Sequence, residues 1–380
     1  MAAAHDRERA VVLAALAGAV ERAWPLEEGL EGLDWEWLLG RLGEHALGAR
    51  FWAEAQAAGR LMAAIPPATR ALLEADAEAV AAHGARLVHL ALQASAALDA
   101  AGIPSMPMKG VALLLGAPEF GAARAMSDVD LLVRPRDLRR AADALAPLFP
   151  SRKVEHEYDG AERDVDEALR GGIASLYTFC TADGAVLELH HAFPGVRAPG
   201  AAEAAFDRGR TLVHRCQAVR VPSLDDLLGS ACVHVLEHHF GTERGMLLRH
   251  VADVRLLVAS GASPERATAL YDAGGGDTVA RSLALLAGAR EEACRRGAPR
   301  SVASLTLDGL DAQVGSWARN LATRIDRIWG SARRHGLRTV FPPRSFMVGL
   351  YGPAAEGPGL PLLHLHRWGA ILVRTLRGRP

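Results

Sequence analysis

A short apolar segment that carries two acidic residues, Ser127-Asp-Val-Asp-Leu-Leu-Val133, constrains the fold of this chain more than any other stretch. Side chains alternate across a strand, so Asp128 and Asp130 lie on one face while Val129 and Leu131 lie on the other. Two neighbouring carboxylates repel, and partial burial raises the pKa of at least one of them unless a cation lies between them. Mg²⁺ is the natural cation, because proteins bind it through a few carboxylates together with substrate phosphates. Such pairs also occur on solvated strand faces, so the spacing alone leaves a plain surface strand open.

A second apolar segment supplies a third acid. The segment "AVLELHHAF" follows the turn Ala182-Asp-Gly184, and Asp-Gly between alternating apolar segments is a strong hairpin signal. If its strand lies beside the Asp128 strand, Glu188 converges with the two aspartates. His190 shares the face of Glu188, where it would orient a ligand or contact a substrate.

A candidate phosphate-binding turn precedes the acids in the segment "MPMKGVALLLG". Gly110 allows close approach of the backbone, and the helix predicted to follow it presents N–H groups to an anion. Lys109, one of two lysines in the chain, adds a point charge, and Arg124 adds a further cation on the same side. An ordinary exposed strand end is the alternative interpretation of Lys109.

The order of helical and mixed patterns predicts an α+β fold in which a small mixed β-sheet is flanked by N-terminal and C-terminal helical regions. We expect helices in residues 1–101, an α/β core in residues 102–221 and a helical region in residues 222–380. The last N-terminal helix is expected to end at Gly102, a good C-cap residue. The apolar run Val11 to Val20 is interpreted as an amphipathic helix, because acidic residues precede it and the pattern continues beyond it.

Composition and charge exclude several classes of protein. The chain has 380 residues, of which 50% are hydrophobic and 23% charged, as in an ordinary globular protein. A formal net charge of -1 provides no basic face for sequence-specific nucleic-acid binding. No window reaches the roughly 20 apolar residues of a transmembrane segment. The four cysteines lie far apart, which argues against a zinc ribbon or disulfide framework and favours the cytoplasm.

Four ordered segments carry a family resemblance: "GIPSMPMKG", "RAMSDVDLLVRPRDL", "VLELHHAF" and "VPSLDDLL" with the following "CVHVLEHHF". Together they resemble the uncharacterised bacterial nucleotidyltransferase family of the polymerase-β nucleotidyltransferase superfamily. The likeness covers roughly residues 30–350 and is most specific in 102–138. It implies that the α/β core is nucleotidyltransferase-like and that two Mg²⁺ ions are bound by Asp128, Asp130 and Glu188. Contacts with the nucleotide are then expected from Lys109, Gly110, Arg124, Ser127 and His190.

The resemblance also implies a reaction. A nucleoside monophosphate moves from an NTP, expected to be ATP, to a hydroxyl of a small molecule or peptide, and pyrophosphate is released. Glu188 is the expected base or base-side metal ligand. Val111 stands where the family usually has a second small residue, so the triphosphate contacts must differ. A catalytically silent nucleotide- or partner-binding scaffold with the same fold is the alternative, and Val111 favours it.

Two further patterns compete for a role. His234-x-x-Glu237-His238 matches the inverted zincin pattern of a zinc hydrolase, but nothing downstream marks a third ligand, so we favour a structural or site-lining helix. Arg249 and Asp253, four residues apart, predict an ion pair on a helix surface. The alternative is that their helix closes over the acceptor, with Asp253 or His239 reaching the site.

Overall fold

The computed structural model describes residues 5–17, 32–57, 60–116, 123–154, 175–193, 200–235, 248–271 and 278–294. Helices surround a small mixed sheet, which confirms the predicted α+β class. None of the helices in these ranges is long and apolar enough to cross a membrane. The polar segment 155–170 and everything after Cys294 lie outside the described residues.

The first part of the chain is helical: α1 (Asp6–Ala17), α2 (Trp35–Glu44), α3 (Gly48–Ala57), α4 (Arg60–Ala64) and α5 (Pro67–Ala100). The middle part alternates strands and helices: β1 (Ser105–Pro107), α6 (Lys109–Gly116), β2 (Asp128–Val133), α7 (Leu138–Leu145), β3 (Ser151–Val154), β4 (Ser175–Cys180) and β5 (Val186–His190). The last described part contains α8 (Ala201–Arg208), β6 (Arg210–His214), β7 (Gln217–Val221), α9 (Leu224–Val233), α10 (Leu248–Ala259), α11 (Pro264–Tyr271) and α12 (Thr278–Cys294).

The main sheet has the strand order β1-β2-β5-β4-β3, and β6 pairs with β7 in a separate ribbon. Strands β2 and β5 run parallel, whereas the other neighbouring pairs run antiparallel. The predicted Asp-Gly hairpin is confirmed between β4 and β5, where Gly184 adopts a φ of +82°. The parallel pair places Asp130 level with Glu188. The sheet thus brings together two acids that lie far apart in the sequence.

The two faces of β2 have different surroundings, as its alternating pattern predicts. Val129 and Leu131 belong to the core formed with α5, α7 and neighbouring strands. Leu132, on the opposite face, packs with Phe193 and with Phe206 of α8. Asp128 and Asp130 share this second face with Leu132. The apolar core under the first face therefore supports the strand, and the acids lie on the other side of it.

The helical flanks meet in one hydrophobic core. Helix α1 packs against α12, and buried residues of α2, α3, α9 and α10 belong to the same cluster. The interval Val11 to Leu16 of α1 is buried on all sides, so the helix is confirmed as far as Ala17, whereas its predicted amphipathic character is wrong there. Residues 18–20 of the predicted run lie outside the described part of the chain. Helix α5 ends at Ala100, and Gly102 has a φ of +68°, in agreement with the predicted C-cap. The predicted domain limits at 101 and 221 stay a prediction.

Candidate functional site

Three side chains from two adjacent strands form a compact acidic cluster. His190 Nε2 lies 2.8 Å from Asp130 Oδ1 and 3.3 Å from Glu188 Oε2. One ligand atom from each of the three residues lies within 4.8 Å of the others, a spacing that suits a metal ion. His190 Nδ1 is buried without a hydrogen-bond partner in the described part of the chain. Glu188 and His190 therefore converge with Asp130, as predicted. Asp128, the other aspartate of the strand, is not part of this cluster.

Asp128 lies at the start of the same strand and is half-buried. Ser127 Oγ donates a hydrogen bond to its Oδ1 over 3.0 Å. Burial raises the pKa of the Asp128 carboxyl, and the negative charges of Asp130 and Glu188 add to this effect, while Lys109 opposes it. The direction of this shift agrees with the prediction for two neighbouring carboxylates. A cation placed between them would favour the ionised form of Asp128.

Lys109 has two unusual properties. Its backbone adopts a φ of +44°, a left-handed conformation that is uncommon for a residue with a side chain. Its Nζ donates to Asp130 Oδ1 over 2.5 Å. Although burial opposes the change, Lys109 and His190 hold the pKa of Asp130 below its usual range. These contacts contradict the interpretation of Lys109 as an ordinary exposed strand end.

Gly110 packs too closely against its neighbours to carry a side chain. A Cβ atom at this position would lie 2.4 Å from both Arg124 Nη1 and Met126 Sδ. Val111 is 1% exposed and belongs to the core that contains Val129. It is not among the residues that line the cleft beside Gly110. Its bulk is therefore directed into the core, and the start of α6 remains available to the cleft.

A cleft of about 230 Å³ separates the acidic strand from helices α9 and α10. The sheet side is lined by Lys109, Gly110, Arg124, Ser127, Asp128 and Asp130. The helix side is lined by Leu227, Ser230, His234, Arg249, His250 and Asp253, among others. The predicted residues Glu188 and His190 do not line the cleft themselves. His190 contacts both Asp130 and Glu188, and Glu188 is the strand-pairing neighbour of Asp130. Six of the eight predicted site residues thus face one cavity.

A family model described as "Uncharacterised nucleotidyltransferase" matches residues 31–272. The chain belongs to this nucleotidyltransferase family. The match includes the acidic strand, Glu188 and both helices of the opposite wall, so it covers every part of the cleft. No curated protein matches the chain. The predicted family is confirmed, and its placement in the polymerase-β superfamily stays a prediction.

In this member of the family, the sheet and the helical wall are joined by buried charges. Arg124 Nε donates to Asp253 Oδ1 over 3.0 Å and its Nη2 donates to Oδ2 over 2.8 Å. Arg50 Nη2 lies 3.5 Å from the same carboxylate. Asp253 is 2% exposed and bonded to Arg124, so the predicted surface ion pair with Arg249 is wrong. Arg124 lines the cleft as predicted, but much of its hydrogen-bonding capacity is directed to Asp253.

Arg50 was not predicted as a site residue. It lies in α3 among the buried residues Ala49, Phe51 and Trp52. An arginine inside such an apolar run is the sequence signal for a buried ion pair. Its partner Asp253 lies about 200 residues away, and nothing local indicates the pairing.

Of the three residues that define the zinc pattern, His234, Glu237 and His238, only His234 lies within the described part of the chain. The His234 and His250 rings pack edge to face with centroids 4.5 Å apart, and both line the cleft. Glu237, His238 and His239 lie outside the described residues. His234 therefore belongs to the cleft wall, in line with the favoured interpretation of a site-lining helix.

Proposed function

We propose that this protein is a Mg²⁺-dependent nucleotidyltransferase that moves a nucleoside monophosphate from an NTP to a hydroxyl acceptor. The observation that carries the proposal is the parallel pairing that sets Asp130 level with Glu188. Lys109 and Gly110 begin α6 beside Asp130, where a phosphate chain would meet a helix N-terminus and a cation. ATP is the expected nucleotide, and the acceptor class is a small molecule or peptide. The expected location is the cytoplasm.

The residues present fit a divalent cation. Asp128, Asp130 and Glu188 provide the hard oxygen donors that Mg²⁺ prefers. Burial, and then repulsion from the other two carboxylates, raises the pKa of Asp128, and a bound cation would offset both effects. We expect these three carboxylates to hold two ions. When bound, Mg²⁺ neutralises negative charge on the triphosphate and lowers the pKa of a coordinated hydroxyl. His190, bonded to Asp130 and Glu188, is proposed to keep both carboxylates in place.

The protein's own groups have distinct tasks in the proposed reaction. The acceptor oxygen attacks the α-phosphorus, the bond from that phosphorus to the bridging oxygen breaks, and pyrophosphate leaves with the bonding electrons. Glu188 takes the hydroxyl proton on a carboxylate oxygen. Lys109 and the N-terminus of α6 orient the phosphates. Most of the rate enhancement is expected from positioning and charge stabilisation, as is general for phosphoryl transfer.

One observation favours a second candidate, the catalytically silent scaffold. Lys109 Nζ and His190 Nε2 both contact Asp130 Oδ1, so this carboxylate is compensated by protein groups. A scaffold would keep that arrangement permanently. An enzyme would have to rearrange at least one of the two contacts when a cation binds. The side chain of Val111 lies in the core and does not block the cleft, but valine still offers no hydroxyl to a phosphate, so this feature of the sequence continues to favour the scaffold.

Isothermal titration with ATP, GTP, CTP and UTP, with and without Mg²⁺, tests the proposal. The Asp128→Ala/Asp130→Ala double variant should lose metal-dependent binding, whereas Asp207→Ala, an exposed change on α8, should retain it. The Glu188→Gln variant should still bind the nucleotide. When it is given an NTP labelled at the α-phosphate together with a metabolite or peptide extract, it should fail to transfer the labelled NMP to an acceptor in that extract. A folded wild-type chain that binds no NTP would refute the transferase. Stoichiometric bound zinc would instead support the hydrolase.

A further inference from the structure

Arg249, near the start of α10, differs from the other basic residues of the cleft. It is half-buried and lines the cavity together with Asp128. In the described part of the chain its hydrogen bonds go to Ala125 O and His250 Nε2, each over 3.4 Å. Both distances are at the long end of the range for hydrogen bonds. Neither partner is a carboxylate.

The other two cations of the cleft are already compensated. Lys109 Nζ is paired with Asp130, and the guanidinium of Arg124 is paired with Asp253. Among the described residues, Arg249 has no ion pair as short as those of Lys109 and Arg124. Burial lowers the pKa of Arg249 and the positive charge of Arg124 adds to this effect, whereas the negative charges of Asp253 and Asp128 oppose it; the group stays protonated at neutral pH. An anion entering the cleft would offset that unfavourable environment.

We propose that Arg249 binds the phosphates of the NTP that leave as pyrophosphate, an inference that rests on the proposed function. The α-phosphorus must lie at the acidic strand for the reaction, so the rest of the triphosphate extends into the cleft that Arg249 lines. A guanidinium presents parallel N–H donors that match two phosphate oxygens. The helix side of the cleft would then recognise the phosphate chain together with the start of α6.

Isothermal titration at fixed ionic strength and fixed Mg²⁺ tests this role with three probes: inorganic tripolyphosphate, the preferred NTP and the corresponding NMP. Arg249→Gln should bind tripolyphosphate and the NTP about 10- to 100-fold more weakly, the loss expected for hydrogen bonds to a charged group. Its affinity for the NMP should change less than about twofold, because the NMP lacks the leaving phosphates. Arg249→Lys keeps the charge without the planar fork and should show an intermediate loss.

Arg290→Gln is the matched control, because it removes the same charge from an exposed position on α12. This variant should bind all three probes as the wild type does. The melting temperature of Arg249→Gln should not fall, since the arginine has no carboxylate bond to lose among the described residues. If the glutamine variant does not fold, the lysine variant provides the comparison.

The outcomes separate this inference from the proposed function. Equal affinity of wild type and both Arg249 variants for tripolyphosphate overturns the role of Arg249 and leaves the transferase standing. Equal weakening for the NTP and the NMP also overturns it, because the contact would then not be with the leaving phosphates. A wild type that binds tripolyphosphate through Arg249 but shows no NTP binding dependent on Asp128 and Asp130 refutes the transferase alone.

Discussion

Arg124 and Asp253 form a bidentate, buried ion pair between residues 129 positions apart, with the shorter bond at 2.8 Å. Arg124 precedes the acidic strand β2, and Asp253 lies in the middle of α10. The pair therefore connects the two walls of the cleft directly. Because both side chains are almost inaccessible to solvent, salt screens this connection much less than it screens an exposed ion pair.

Asp253→Asn should strongly destabilise the protein. The change leaves Arg124 and Arg50 buried without their carboxylate, and breaking one side of a buried pair typically costs about 3 to 5 kcal/mol. Urea denaturation at neutral pH measures the change in unfolding free energy. Glu44→Gln, which removes a carboxylate from the solvent-exposed pair with Arg41, is the control and should have a much smaller effect. Equal losses for the two variants would contradict a structural role for the buried pair.

Gly110→Ala should reduce both stability and nucleotide affinity. Its Cβ would collide with Arg124 Nη1 and Met126 Sδ at 2.4 Å, and overpacking of this kind costs about 1 to 3 kcal/mol. Displacement of Arg124 would also disturb the cleft. Gly40→Ala, in α2, adds a Cβ that no other part of the described structure approaches within 4 Å, and it should instead be neutral or stabilising. Thermal unfolding and NTP titration of the two variants check the contrast.

His45 should make the protein less stable at mildly acidic pH. Burial, with a contribution from Arg41, lowers its pKa from 6.5 to about 4, so the folded state favours the neutral ring. The unfolded chain binds the proton first as the pH falls, and stability decreases progressively between pH 6.5 and 4. The difference of about 2.5 pKa units corresponds to roughly 3 kcal/mol.

The variant His45→Gln, neutral at every pH, should lack this part of the acid sensitivity. Denaturant unfolding of wild type and variant at pH 7, 5.5 and 4.5 isolates the contribution, because other titrating groups are common to both proteins. Parallel stability curves for the two proteins over this interval would show that His45 does not titrate differently on folding.

Asp128→Asn should separate stability from metal binding. Removing one of the neighbouring charges relieves repulsion, so the melting temperature without metal should equal or exceed that of the wild type. Saturating Mg²⁺ should raise the melting temperature of the wild type and leave that of the variant nearly unchanged. A Mg²⁺ concentration of 100 times its Kd would stabilise the folded wild type by about 2.7 kcal/mol. Calorimetry with and without Mg²⁺ measures both effects. An unaltered Mg²⁺ response in the variant would place the cation elsewhere.

Much of the site was accessible from local sequence rules. Alternation along β2 predicted that Asp128 and Asp130 share a face, and the Asp-Gly turn predicted the hairpin that presents Glu188. The glycine before an apolar run correctly predicted the start of α6. These features depend on neighbours within a few residues, so the pattern of the chain contains the information.

The remaining features depend on pairings between distant segments. Nothing in β2 or β5 alone specifies that they run parallel with Asp130 beside Glu188. The same applies to Asp253, whose spacing from Arg249 matched a surface ion pair but whose carboxylate is instead bonded to Arg124. The tertiary arrangement decides whether a charged side chain such as that of Asp253 is buried, and spacing along a helix does not.

The packing of α1 against α12 has a consequence for synthesis of the protein in the cell. About 260 residues separate the two helices, so at about 5 to 20 residues per second α1 leaves the ribosome roughly 13 to 50 s before α12 is made. During that interval the apolar side chains from Val11 to Leu16 lack one of their permanent neighbours. The first helix can therefore reach its final packing only after α12 has been synthesised.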